Sequence, residues 1–224
     1  MNHAHTHHPN ESLNQATRRQ LGLSLGITLL FVVVEIIAGI FSHSLALLTD
    51  AAHNFTDVIA LGLTMWAFTM ALKPAHSKKT YGYHRAGILV ALVNSTSLAL
   101  IAGGIFVEAV RRIINPPEVD AGVLIWVSLA AVVVNLVTAL LVRRGSDKDL
   151  NLKSAFLHLV GDVLSTVGAL VAGIIIRFTG ANWLDPLVSM LIGFMILWSA
   201  WGILRESVHI LMESTPADID MAGL

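Results

Sequence analysis

Long apolar runs alternate with short polar breaks along almost the whole chain. A helix crossing the ~30 Å hydrocarbon core of a bilayer needs about 20 mostly apolar residues. Six stretches reach that length: residues 20–42, 45–72, 85–113, 121–143, 152–178 and 183–208. Turn-forming or polar residues punctuate them. Ser42-His43-Ser44 separates the first two, Lys73-Pro74 ends the second and Asn115-Pro116-Pro117 follows the third. Gly145-Ser146 closes the fourth, and Thr179-Gly180-Ala181-Asn182 closes the fifth. The pattern predicts an all-α, polytopic membrane protein with six transmembrane helices. The first apolar run is long, follows a polar His-rich start and ends at no small-residue cleavage site, so it does not read as a secretory signal.

Composition sharpens this picture. Of 224 residues, 55% are apolar and only 13% charged, about half the roughly 25% charged residues of a soluble domain. The mean hydropathy of +0.72 cannot be hidden inside a water-soluble fold of this size. The 14 Lys and Arg against 15 Asp and Glu leave no basic excess, which excludes nucleic acid as a partner. There is no cysteine, so thiolate nucleophiles and Cys-based metal sites are excluded, and any metal must be held by nitrogen and oxygen.

Basic residues orient the bundle, because cytoplasmic loops carry the Lys and Arg excess. With the N-terminus inside, Arg18, Arg19, Lys73, Lys78, Lys79, Arg85, Arg143, Arg144, Lys148, Lys153 and Arg205 are cytoplasmic, and Arg111, Arg112 and Arg177 are not. Eleven against three places both termini in the cytoplasm. The Arg111-Arg112 pair is the misfit. The expected organisation is a flexible His-rich tail over 1–17, a transport domain over 18–212 and a short C-terminal tail over 213–224.

Ionisable side chains inside a membrane are costly and mark function. The second run contains His53-Asn54-Phe55-Thr56-Asp57-Val58 and the fifth His158-Leu159-Val160-Gly161-Asp162-Val163, two copies of His-x-x-x-Asp-Val. Residues four apart lie on one helical face, about 6 Å apart along the axis. Each copy therefore presents one imidazole and one carboxylate together. Helices 2 and 5 run in opposite directions, so His53 should sit level with Asp162 and Asp57 with His158. Two nitrogens and two oxygens around one point suit a four-coordinate divalent ion, zinc above all, rather than Ca²⁺ or Mg²⁺ with their oxygen shells. The competing reading of one such motif is a hydrogen-bonded pair that locks helix packing; two copies on antiparallel helices favour a metal or proton site.

These residues also carry a resemblance. Ser44-Leu45-Ala46-Leu47-Leu48-Thr49-Asp50-Ala51-Ala52-His53-Asn54, the loop Tyr81-Gly82-Tyr83-His84-Arg85, and Asp185-Pro186 resemble the cation diffusion facilitator family of metal exporters over residues 18–216. The resemblance implies that His53, Asp57, His158 and Asp162 form the transport site, that zinc is exchanged for protons by alternating access, and that the protein is a homodimer in the cytoplasmic membrane. Zinc is then the transported substrate, with no prosthetic group. Family members commonly continue into a cytoplasmic metal-binding domain. This sequence ends at Leu224, eight residues past Pro216, so that domain is expected to be absent.

The remaining polar residues have weaker claims. Asp50, one turn from the site, reads either as a proton relay or as a carboxylate favoured by a helix N-terminus. Glu35, Glu108, Asn94 and Asn135 are expected to satisfy one another across helices. His3, His5, His7 and His8 form a tract able to capture metal loosely, and His76 and His84 lie in the basic loop after helix 2. Trp183 reads as an interface anchor. Ala99, Gly103 and Val107, four apart on helix 3, offer a surface for close approach of two subunits. Alternatives to zinc–proton exchange are an intramembrane metalloenzyme, a passive channel, and an exporter whose main ion is Cd²⁺, Co²⁺, Mn²⁺ or Fe²⁺. An enzyme would need an open coordination position and a general base, and the chain has no His-Glu-x-x-His or Gly-x-Ser-x-Gly. Four strong ligands would trap an ion rather than pass it quickly through a channel.

Overall fold

The computed structural model describes residues 26, 28–71, 86–146 and 150–212. Among them there are six helices: α1, Thr28–Phe41; α2, Leu45–Ala71; α3, Ala86–Ile114; α4, Ala121–Ser146; α5, Leu150–Thr179; and α6, Leu184–Leu211. They fall on the six apolar runs and end at the punctuation read from the sequence. The His-rich tract at 3–8, the loop bearing His76 and His84, and the C-terminal tail lie outside the described residues. Among the described residues, four stretches are long and apolar enough to cross a membrane: Ala86–Ile114, Ala121–Leu140, Phe156–Thr179 and Leu184–Leu211. The polarity of the bundle is inverted relative to a soluble protein. Large apolar side chains such as Leu100, Trp126, Phe178 and Trp198 stand exposed, while Glu35, Ser44, Thr49, Asp50, Ser95, Asp162, Ser165 and Asp185 are buried. Lipid is the solvent such an exterior suits. This is a multi-pass membrane protein.

Helices α4 and α5 pack as one pair and α3 and α6 as another, with α2 against α3, α6 and, more sparingly, α5. Close approach is arranged by small residues. A Cβ on Gly39 would stand 2.9 Å from the Leu48 side chain and 3.2 Å from its main-chain nitrogen, so the close approach of α1 to α2 is eased by the glycine there. Gly173 plays the same part between α5 and α4, where a Cβ would meet Leu124 at 3.0 Å.

Three connections meet at one end of the bundle and knit it together. His43, with φ of +55°, reverses the chain between α1 and α2, and Ser44 N–H donates to the Gly39 carbonyl at 3.0 Å. Asp120 N–H donates to the Ser42 carbonyl at 3.0 Å, while the Asp120 carboxylate caps α4 by accepting from Gly122 and Val123 N–H at 2.9 and 3.2 Å. Gly180, at φ +69°, ends α5 in the left-handed conformation that glycine adopts without penalty. Beneath these turns Ala46, Leu47, Val119, Ala121, Leu124, Ala169 and Ile176 form a buried apolar cluster. That end is closed.

The Arg111-Arg112 pair has its structural account here. Arg112 donates through Nε to Glu108 at 2.8 Å and through Nη1 to the His43 carbonyl at 2.7 Å, clamping α3 to the α1–α2 turn. Arg111 also stands 3.8 Å from Glu108. The cross-helix partnership expected for Glu108 is therefore replaced by an i,i+4 pair within α3.

Candidate metal-binding site

The i,i+4 spacing places His53 and Asp57 on one face of α2, and His158 and Asp162 on one face of α5. Those faces meet. His53 Nε2 lies 3.2 Å from Asp162 Oδ1, and His158 Nε2 lies 3.0 Å from Asp57 Oδ2. The two contacts within each helix are looser, 3.6 Å for His53–Asp57 and 3.8 Å for His158–Asp162. The imidazole rings are 5.5 Å apart at an interplanar angle of 75°. One ligand atom each from His53, His158 and Asp162 falls within 4.8 Å of the others, and Asp57 reaches both imidazoles.

These distances have a chemical meaning. Four ligands at about 2.0–2.2 Å around a tetrahedral ion stand roughly 3.3–3.6 Å from one another. The nitrogen–oxygen separations, 3.0 to 3.8 Å, bracket that range. A small divalent cation could therefore replace the hydrogen bonds with little movement of either helix. Imidazole and carboxylate together suit zinc and its neighbours in the first transition row.

Burial is uneven across the cluster. His53 and Asp162 side chains are 12% and 10% exposed, whereas Asp57 and His158 are 34% and 45% exposed. A cleft of about 200 Å³ between α5 and α6 reaches the site, lined by His53, His158 and Asp162 with Ser165, Ile192, Met195 and Ser199. The residues on the turn side of the site, by contrast, are packed. The more exposed pair, Asp57 and His158, is thus the one on the side of the cluster away from the knitted turns.

Two neighbours were not readable from spacing. Asp185, at the start of α6, accepts from Ser44 Oγ at 2.6 Å and from Leu45 and Ala46 N–H at 2.6 and 3.2 Å. Ser44 Oγ in turn accepts from Leu47 N–H at 3.2 Å. The N-terminus of the site-bearing helix is thereby capped from another helix. Asp50 lies beyond the first turn of α2, which contains no acidic residue, so it is not the N-terminal carboxylate that one reading made it. It is buried and accepts from Asn54 Nδ2 and Ser165 Oγ, both at 3.4 Å. The same Asn54 amide donates to Glu35 at 3.4 Å. The expected mutual pairing of Glu35 with Glu108, Asn94 and Asn135 is corrected accordingly: Glu35 turns to α2, and the buried Asn135 Nδ2 has no partner among the described residues.

A multi-pass helical bundle with two imidazoles and two carboxylates gathered in its interior defines a class of protein that handles cations within a membrane. The profile of the cation efflux transmembrane domain matches residues 21–212, and the chain belongs to that family, the cation diffusion facilitators. It is similar to the cadmium, cobalt and zinc/H⁺-K⁺ antiporter of Bacillus subtilis (strain 168), 39% identical over 97% of this chain and 70% of the relative. It is also similar to the metal cation efflux system protein CzcD of Cupriavidus metallidurans, 36% identical over 99% of this chain and 69% of the relative. Zinc transporter ZitB of Escherichia coli (strain K12) is 36% identical over 100% of this chain and 72% of its own length. The family is one of metal cation efflux transporters, not enzymes.

Proposed function

We propose that this protein exports divalent metal cations, zinc foremost, across the cytoplasmic membrane in exchange for protons. His53, Asp57, His158 and Asp162 form the transport site, all six helices cross the bilayer, and both termini are cytoplasmic. The observation that carries this reading is the crosswise pairing of His53 with Asp162 and His158 with Asp57 at 3.2 and 3.0 Å. Relatives named for zinc, cadmium and cobalt transport support it.

The mechanism follows from the ligands. Metal binding requires neutral imidazoles and ionised carboxylates, so an ion and protons compete for one set of groups. In the orientation given by the basic residues, the more exposed pair, Asp57 and His158, lies toward the cytoplasm and the knitted turns face outward, which suits loading from the inside. Metal neutralises the facing carboxylates and thereby favours the state open on the other side. Protonation of the histidines there weakens the ligand set and releases the ion. Protons bound to the emptied site are then carried inward.

Zinc uptake into sealed inside-out vesicles under an imposed proton gradient tests the reading. Wild-type protein takes up zinc and dissipates the gradient. Asp57→Ala and His158→Ala remain folded and inserted and do neither. Near-normal uptake by either variant removes the site assignment, and zinc movement without proton movement removes the antiport.

A further inference from the structure

Directly beyond the metal-binding cluster, on its closed side, the helices bury a second group of acids that the four-ligand site does not use. Glu35 projects from α1 and is completely buried. Asp50 on α2 is buried as well. The Asn54 amide is shared between them, donating to Glu35 Oε2 and Asp50 Oδ2 at 3.4 Å each. Glu35 Oε1 is buried with no hydrogen-bond partner among the described residues. Neither α1 nor α2 contains a lysine or arginine. The other titratable groups facing the pair are His53 on α2 and Asp162 on α5.

Two ionised carboxylates sharing one neutral amide in an apolar interior, with no cation on either helix, are not a stable arrangement. One proton resolves it. A protonated Glu35 donates to Asp50, and the pair then carries a single negative charge shared with Asn54. A larger cation fits less well, because Asn54 presents its nitrogen, a donor, where a metal ion would need another oxygen.

We propose that Glu35 and Asp50 form a proton-binding site that holds one shared proton and is linked to the metal-binding cluster. Proximity supplies the link: Asp50 stands three residues before His53 on α2, and Ser165, which lines the cleft at the site, has its hydroxyl 3.4 Å from Asp50 Oδ1. A divalent ion arriving at His53 and Asp162 adds positive charge one turn away. The Glu35 proton leaves as a hydronium ion, and the second carboxylate it leaves behind is balanced by the metal. The role of the pair rests on the proposed transport function, whereas the presence of its proton does not.

Infrared spectroscopy of the metal-free protein in lipid nanodiscs tests the site in two steps. At neutral pH the wild type shows the C=O stretch of a protonated, deuterium-sensitive carboxylic acid. Glu35→Gln loses that band, Asp57→Ala keeps it, and Glu35→Asp displaces it. A wild-type-minus-Glu35→Gln spectrum that is flat in this region overturns the proposal. If Glu35→Gln does not fold, an undisplaced band in Glu35→Asp overturns it instead. In the second step zinc is added, with binding followed by equilibrium dialysis and protons by an indicator dye. Zinc abolishes the band in wild type, and Glu35→Gln releases fewer protons for each zinc bound. A band untouched by bound zinc breaks the linkage. Failure of the wild type to bind zinc counts against the transport site and leaves the metal-free spectrum to decide the proton.

Discussion

Ser44 and Asp185, 141 residues apart in the chain, are joined by a hydrogen bond of 2.6 Å. Through it α6 caps the helix that carries His53 and Asp57, because Asp185 also accepts from the first two N–H groups of α2. Those N–H groups have no partner within their own helix, and inside a membrane protein an unsatisfied donor is costly. Removing the carboxylate in Asp185→Ala strands them together with the Ser44 hydroxyl. The expected loss is about 2–4 kcal/mol of stability, seen as a lowered midpoint of thermal unfolding in detergent. Asp185→Asn keeps one acceptor oxygen and should fall between. Equal midpoints for all three proteins would show that the cap contributes nothing.

Selectivity should respond to the more sheltered of the two imidazoles. On the proposed reading His53 supplies a borderline nitrogen donor, and His53→Asp replaces it with oxygen. The variant should lose preference for zinc and accept harder ions such as Mn²⁺ more readily. Competition between metals in the vesicle assay measures this. An unchanged order of preference means that His53 is not a direct ligand.

The same ligands set a pH dependence. Imidazoles ordinarily titrate near pH ~6.5, and only their neutral form binds metal. Zinc affinity should therefore be greatest above that value and fall as pH drops through it, with protons taken up as the ion leaves. Isothermal titration in buffers of different protonation enthalpy counts those protons. Affinity independent of pH between 5 and 8 would contradict ligation by His53 and His158.

Subunit contact is expected on the outer surface of α3. Ala102 and Ala109 are fully buried and turn inward, and Ala102 packs with Ile192, Ile196 and Ala200 of α6. Gly103 has open space where a Cβ would be, and Val107 is 73% exposed. The small-residue face is thus split between an internal contact and a free one. In a chain without native cysteine, Gly103→Cys and Val107→Cys should cross-link two subunits and Ala102→Cys should not. Cross-linking from a different helix, with none from these two, would move the interface elsewhere.

Much of the protein is decided by local sequence. The cost of leaving backbone groups unpaired in lipid forces each long apolar run into a helix, and the breaks at Ser42–Ser44, Pro116-Pro117 and Gly180 set where those helices end. The i,i+4 spacing of His53 with Asp57 and of His158 with Asp162 places each pair on a single face, whatever surrounds it. Antiparallel helix directions then dictate which imidazole lies opposite which carboxylate, once the two faces meet. Helix periodicity does not say how each cylinder is rotated against the others. Only the packed bundle decided that Glu35 turns to Asp50 and Asn54, that Glu108 stays with Arg112 on its own helix, and that Asp185 reaches the start of α2. The uneven exposure of the four clustered side chains has the same origin. It follows from tight packing of the helices beneath the turns and an open cleft between α5 and α6, relationships between distant segments that no local pattern encodes.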